Sequence, residues 1–307
     1  MRRLWAAGAA IVICLALGVP TDAQDVAADQ AGEAVVTAVE QLDERMVDLS
    51  IDSPSVGEVK VRLLLPAGFE EEPERTWPVL YLPHGGFDDH TAWSEQTDVA
   101  DLTADTDLLV VMPDGGELGF YSDWWNGGEG GPPMWETFHL TELRDILERD
   151  WRAGDQRMIA GASWGGFGAV HYAEAHPELF RAVASFSGLL NPAGEEEGPD
   201  PMLWGDPEEQ ADIWAAHDPV GMAEALEGKT LYVSYGDGQP GPLDPAGATA
   251  DWVEEWVAGM DEVFVSRLEE LGIPATVDAY GPGTHMWPYF ERDLHVALPQ
   301  MMETLEG

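Results

Sequence analysis

Gly161-Ala162-Ser163-Trp164-Gly165 sets a serine among glycines, after the apolar run 157–160 and ahead of a helical stretch. A serine hydroxyl is a weak nucleophile by itself. In a strand-turn-helix setting the glycines permit a sharp turn that lifts the Ser163 hydroxyl clear, and the helix start beneath it favours developing negative charge. The Trp164 amide is then an expected oxyanion donor. The alternative is a glycine-rich turn that contains serine for structural reasons alone. Attack on a carbonyl also needs a base and an acid, expected later in the chain in the order serine, acid, histidine.

Eight histidines compete for the role of base. His171 and His176 lie in or beside the helix after the serine, and His139, His217 and His295 lie in helix-like or polar stretches, where packing or surface roles are the rule. His285 ends Gly281-Pro282-Gly283-Thr284-His285, a loop between the last strand and the last helix, and is the expected base. The second oxyanion donor is expected at the Gly86 amide, in Pro83-His84-Gly85-Gly86-Phe87 after the apolar run 79–82. For the acid, position alone points to Asp237, in Gly236-Asp237-Gly238 directly after a strand, and leaves the choice open.

These loops need a scaffold. Alternating or β-branched runs predict strands over 46–51, 59–65, 79–82, 108–112, 158–160, 183–186, 231–235 and 275–280. Helical stretches at 136–149, 167–175, 252–271 and 288–303 fall between the later ones. That alternation predicts an α/β fold with a mainly parallel central sheet, helices on both faces and an antiparallel N-terminal hairpin at its edge, turning at 53–57. Two Gly/Pro-rich stretches, 127–133 and 192–201, read as surface loops that shape a cleft. Trp124, Trp125, Trp164 and Trp287 lie near the site loops, where they either line a groove or pack.

Composition narrows the partners. Fourteen basic against fifty-eight acidic residues give a net charge of −44, which repels phosphate backbones and anionic lipid surfaces. Nucleic acid is excluded as a partner. Only Lys60 and Lys229 represent lysine. Such self-repulsion suits a salt-rich working environment, which would screen it, or else a very soluble secreted protein with a solvated acidic face.

Residues 1–23 read as a secretory signal, with Arg2 and Arg3 before an apolar run that ends near Thr21 and Ala23. The run is short for a span, so the mature form is expected to have no stable membrane span. The one cysteine, Cys14, lies inside it, which leaves the mature chain without disulfide or thiol chemistry. No cofactor fingerprint or Cys-His metal spacing occurs, so neither a cofactor nor a metal is expected. Residues 24–45 read as a flexible acidic leader and 46–307 as a single catalytic domain.

Six further stretches carry a resemblance over nearly the whole mature length: Ser53-Pro54-Ser55-Val56-Gly57; Gly119-Phe120-Tyr121-Ser122-Asp123-Trp124; Trp135-Glu136-Thr137-Phe138; Ser187-Gly188-Leu189-Leu190-Asn191-Pro192; Leu231-Tyr232-Val233; and Gly283-Thr284-His285-Met286-Trp287-Pro288-Tyr289. With the serine pentapeptide, the chain resembles the antigen 85 mycolyltransferase-like branch of the esterases with the α/β-hydrolase fold. The resemblance implies a glutamate acid on the helix after the strand that ends at Gly236. This matches Glu254 in Trp252-Val253-Glu254, ten residues before Phe264, and Asp237 and Glu255 stand as alternatives. Where that branch carries an aspartate and an arginine that contact trehalose, this chain has His84 and Phe87, so the resemblance does not extend to a trehalose acceptor.

The expectation is a secreted or wall-associated serine esterase acting on a small-molecule or lipid ester. An acyltransferase serving a sugar or alcohol acceptor is the alternative. A catalytically idle wall-associated binding protein is the rival of another class. Cytosolic S-formylglutathione hydrolases are also similar to this chain, but the export signal argues against that role.

Overall fold

The computed structural model describes residues 33–194 and 200–305. Within them nine strands form one sheet in the order β1-β2-β3-β5-β4-β6-β7-β8-β9. They are β1 (Val35–Gln41), β2 (Met46–Ser53), β3 (Gly57–Leu64), β4 (Trp77–Tyr81), β5 (Leu109–Pro113), β6 (Ala153–Ala162), β7 (Ala182–Phe186), β8 (Thr230–Gly236) and β9 (Thr276–Gly281). The ladders joining β1, β2, β3 and β5 are antiparallel, and those from β5 through β4 to β9 are parallel. This is the α/β-hydrolase arrangement.

The parallel strands read as unbroken apolar runs because both faces are covered. In β4, Val79 and Tyr81 enter one core while Leu80 enters the other; in β5, Leu109 and Val111 part from Val110 and Met112 in the same way. The helices close these two layers. They are α1 (Ala92–Gln96), α2 (Val99–Leu102), α3 (Trp135–Thr137), α4 (Arg144–Asp150), α5 (Trp164–Ala175), α6 (Pro201–Trp204), α7 (Ala211–Ala216), α8 (Pro219–Met222), α9 (Trp252–Leu271) and α10 (Trp287–Met302). Helices α5 and α9 supply Tyr172 and Phe264 to the first core, and α10 supplies Phe290 and Leu294 to the second.

β4 is flanked by β5 on one side and β6 on the other. Connections leaving such a strand in opposite directions open a crevice beyond the strand C-termini. The loops after β4 and β6, which carry Gly86 and Ser163, both start there.

Two expectations need correction. The stretch read as a flexible leader, 24–45, contains β1, which pairs with β2 from Val35↔Asp52 to Gln41↔Val47. The fold therefore begins before residue 46, and the 53–57 hairpin lies one strand in from the edge. β1 escaped notice because its side chains are almost all exposed, so no buried face imposes alternation on it. The helix expected over 136–149 is divided by a π turn, Phe138–Leu143, between α3 and α4. His139 in that turn is held at Nδ1 by the Tyr172 hydroxyl (2.8 Å) and at Nε2 by the Asp114 carbonyl (2.8 Å), contacts that accompany the altered pitch. The reading of residues 1–23 lies outside the described residues. Among the described residues, no helix is long and apolar enough to cross a membrane.

Candidate active site

Ser163 stands at the junction of β6 and α5 with φ 55° and ψ −121°. A non-glycine residue enters that region at a cost of about 1–3 kcal/mol, which the surrounding structure must offset. Glycine is required on both sides. A Cβ on Gly161 would lie 2.0 Å from the Gly165 carbonyl oxygen, and one on Gly165 would lie 2.3 Å from that of Pro83. The Ser163 carbonyl accepts from the amides of Gly166 and Phe167, which starts the helix directly below the hydroxyl. The Ser163 amide donates to the Phe186 carbonyl at 2.9 Å, tying the turn to β7.

The loop after β4 reaches the serine from the other side. A Cβ on Gly85 would sit 3.6 Å from Ser163 Cβ, and one on Gly86 would meet the Trp164 ring at 2.9 Å. Neither the Gly86 amide nor the Trp164 amide donates to an acceptor among the described residues. The loop is pinned by His84, whose Nε2 accepts from the Gly115 amide (2.9 Å) while Nδ1 donates to the Gly85 carbonyl (2.7 Å). At 1% exposure, with both ring nitrogens engaged, His84 is a fastener of the loop and not a substrate contact. Phe87 is its opposite, 71% exposed and tilted over Trp164 with ring centroids 5.8 Å apart. From Trp164 an aromatic row continues through Phe120 (5.4 Å) to Trp204 (5.3 Å). Trp287 instead packs edge-on against Trp93 in the second core.

His285 lies in the loop between β9 and α10. Its Nδ1 is 2.7 Å from Glu254 Oε2, and the Glu254 side chain is fully buried. The other oxygen, Oε1, accepts from the Gly236 amide (2.6 Å), the Ser187 hydroxyl (2.8 Å) and, at longer range, the Tyr280 hydroxyl (3.5 Å). Glu254 also occupies the first turn of α9, where a negative charge is favoured. His285 Nε2 is buried and has no hydrogen-bond partner, so no hydrogen bond joins it to Ser163. Such contacts often tighten only when substrate is bound.

The other two carboxylate candidates are elsewhere. Asp237 is exposed and accepts from the Gln239 amide (2.8 Å) in a tight turn, and Glu255 is exposed on the helix surface. Asp251 was not singled out from the sequence, yet it joins two elements: one oxygen caps α9 through the Val253 amide (2.9 Å) and the other accepts the His285 amide (3.0 Å). An aspartate just before the apolar-periodic run at 252 is the signal that marks it. Ser187 and Tyr280 leave no such local signal, because they meet Glu254 only through the fold. Beside His285 runs a groove of about 310 Å³ lined by residues that include Asp244, Asp251, Trp252, Thr284 and Met286. A cavity of about 540 Å³, bounded by Tyr280, Tyr289 and Arg292 among others, touches neither Ser163 nor His285.

Comparison with known proteins gives the family. The family model described as "Putative esterase" matches residues 54–301. The chain is 31% identical over 243 residues to the diacylglycerol acyltransferase/mycolyltransferase Ag85B of Mycolicibacterium smegmatis, covering 71% of this chain and 74% of that one. It is 32% identical over 246 residues to Esterase Rv1288 of Mycobacterium tuberculosis, covering 74% of this chain and 52% of that one. Among solved structures, MPT51 of Mycobacterium tuberculosis superposes with a TM-score of 0.67 at 26% identity, over 87% of this chain and 99% of its own. A ferulic acid esterase gives 0.65 at 24% identity, over 85% and 97%, a likeness of fold.

Proposed function

We propose that this chain, which belongs to the esterase family matched over residues 54–301 and is an enzyme of the esterase and acyltransferase kind, hydrolyses carboxylic esters through an acyl-enzyme on Ser163. The observation that carries this reading is the Glu254–His285 contact at 2.7 Å, with the remaining carboxylate oxygen already committed to Gly236 and Ser187. A histidine held in this way presents Nε2 as the proton acceptor.

Ser163 Oγ attacks the ester carbonyl as His285 Nε2 takes its proton, and the amides of Gly86 and Trp164 hold the oxyanion. Collapse of the tetrahedral intermediate breaks the C–O bond, and His285 returns the proton to the leaving alkoxide. Water then repeats the sequence on the acyl-enzyme and releases the acid. Glu254 orients the imidazole and stabilises its charged form throughout. No metal or cofactor enters these steps.

Hydrolysis is favoured over transfer because the His84 side chain is withdrawn and Phe87 offers no hydrogen bond, which leaves those two positions without a polar grip on a sugar. Transfer is the second reading, supported by the groove beside His285, where Asp244, Asp251 and Thr284 offer polar groups to a hydroxyl acceptor. We further read residues 1–23 as directing export, which the protein's appearance in culture medium, and its loss when that segment is deleted, would test.

The decisive assay is turnover of p-nitrophenyl esters of increasing acyl length, with and without added alcohols and sugars. Ser163→Ala is expected to abolish both turnover and labelling by a fluorophosphonate. Acylated acceptor at the expense of free acid would move the assignment to transfer. A folded wild-type protein that neither turns over nor is labelled would leave the idle binding-protein reading in its place.

A further inference from the structure

Away from Ser163, three residues distant in sequence converge: Glu136 in α3, His171 in α5, and His217 directly after α7. One ligand-type atom from each lies within 4.8 Å of the others. The Glu136 carboxylate bridges two imidazoles, with Oε2 at 3.0 Å from His171 Nε2 and Oε1 at 2.9 Å from His176 Nε2. His217 donates through Nδ1 to the Ile213 carbonyl (2.8 Å), which leaves a lone pair on Nε2. His171 is 2% exposed and its Nδ1 is also without a partner. The two imidazoles lie 4.6 Å apart, centroid to centroid. Each is held flat by an aromatic ring, His171 by Phe167 (5.4 Å, 12°) and His217 by Trp204 (4.8 Å, 21°).

We propose that Glu136, His171 and His217 form a site for one divalent transition-metal ion of the zinc type, which clamps the segment containing α6 and α7 to the helix that starts at Ser163. Two imidazoles and one carboxylate are a donor set that zinc accepts at about 2.0–2.2 Å per bond. Ligand atoms around such an ion stand roughly 3.4 Å apart in a tetrahedron, so the cluster closes on it with small side-chain movements. The supporting shell is present, because Ile213 fixes the His217 tautomer and His176 engages the second carboxylate oxygen. Entry is open along Glu136, whose side chain is 20% exposed, and solvent completes the coordination there.

The Cys and Cys-His spacings that mark a metal site in a sequence have no counterpart here, because the three ligands lie 35 and 46 residues apart.

The test uses chelator-stripped full-length protein titrated with Co²⁺ in excess Mg²⁺, which occupies surface carboxylates. One equivalent with visible ligand-field absorption, displaced by Zn²⁺, is expected. The Glu136→Gln and His217→Gln variants are each expected to bind about tenfold or more weakly. Zn²⁺ should raise the wild-type Tm and leave that of His217→Gln unchanged. Wild-type protein without the absorption band, binding abolished by Mg²⁺, or wild-type affinity in both variants would overturn the site. The wild-type spectrum decides even if a variant fails to fold.

Discussion

At the scale of single residues, the division of labour on Glu254 makes its role separable from that of its neighbours. Replacing it by glutamine removes the charge that stabilises imidazolium and admits the wrong tautomer of His285, a change that lowers kcat by about 10⁴-fold in the serine-histidine-aspartate template. Glu254→Gln is therefore expected to lose on the order of 10³–10⁴ in kcat with KM little altered. Asp237→Asn and Glu255→Gln, both exposed, should stay within about twofold. Steady-state kinetics on one ester separates the three, and a large loss in Asp237→Asn would reassign the acid. Asp293 raises a different question. Burial pushes its carboxyl up to about 7, against the opposing pull of the Ser234 hydroxyl and Arg292. The unfolded chain releases that proton near pH 4, so the folded state holds it across the interval, and the stability so gained is lost as pH rises towards about 7. Asp293→Asn should consequently gain on the wild type as pH is raised from about 5 to 8, seen as a widening Tm difference. A difference constant with pH would remove Asp293 from the account.

At the scale of elements, Asp251 couples the start of α9 to the loop that presents His285. Asp251→Ala should cost about 1 kcal/mol of stability as a lost helix cap and lower kcat as well, because the His285 amide loses its anchor. Asn at the same position, which keeps an acceptor oxygen, should restore most of both; denaturation midpoints and kcat measured on the two variants give the comparison. This is also the scale at which the limits of sequence reading are visible. Ser163, His285 and the Gly86 loop were legible because each sits in a run of five residues whose glycines are dictated by backbone geometry. Glu254 needed the family resemblance, since a carboxylate on the first turn of a helix in so acidic a chain has no distinguishing spacing. Ser187, 67 residues from Glu254, becomes its partner only when β7 and α9 pack. β1 half-buries Val36 alone and exposes its other side chains, so pattern gave no reason to place it in the sheet.

For the molecule as a whole, the −44 charge sets the response to salt. Self-repulsion among surface carboxylates falls as the Debye length shrinks from roughly 30 Å at 0.01 M to about 3 Å at 1 M. Tm is expected to climb over that range, as followed by circular dichroism, and a flat profile would show that local pairing already balances the field. The groove beside His285 shares this field, with Asp244 and Asp251 on its walls. On the proposed hydrolysis, a neutral ester would approach past these carboxylates without electrostatic cost, whereas the acid released would leave as an anion among anions. The consequence is kinetic: product inhibition by free carboxylates should be weak in dilute buffer and strengthen as salt is added, so that the ions which steady the fold also slow the clearing of the site.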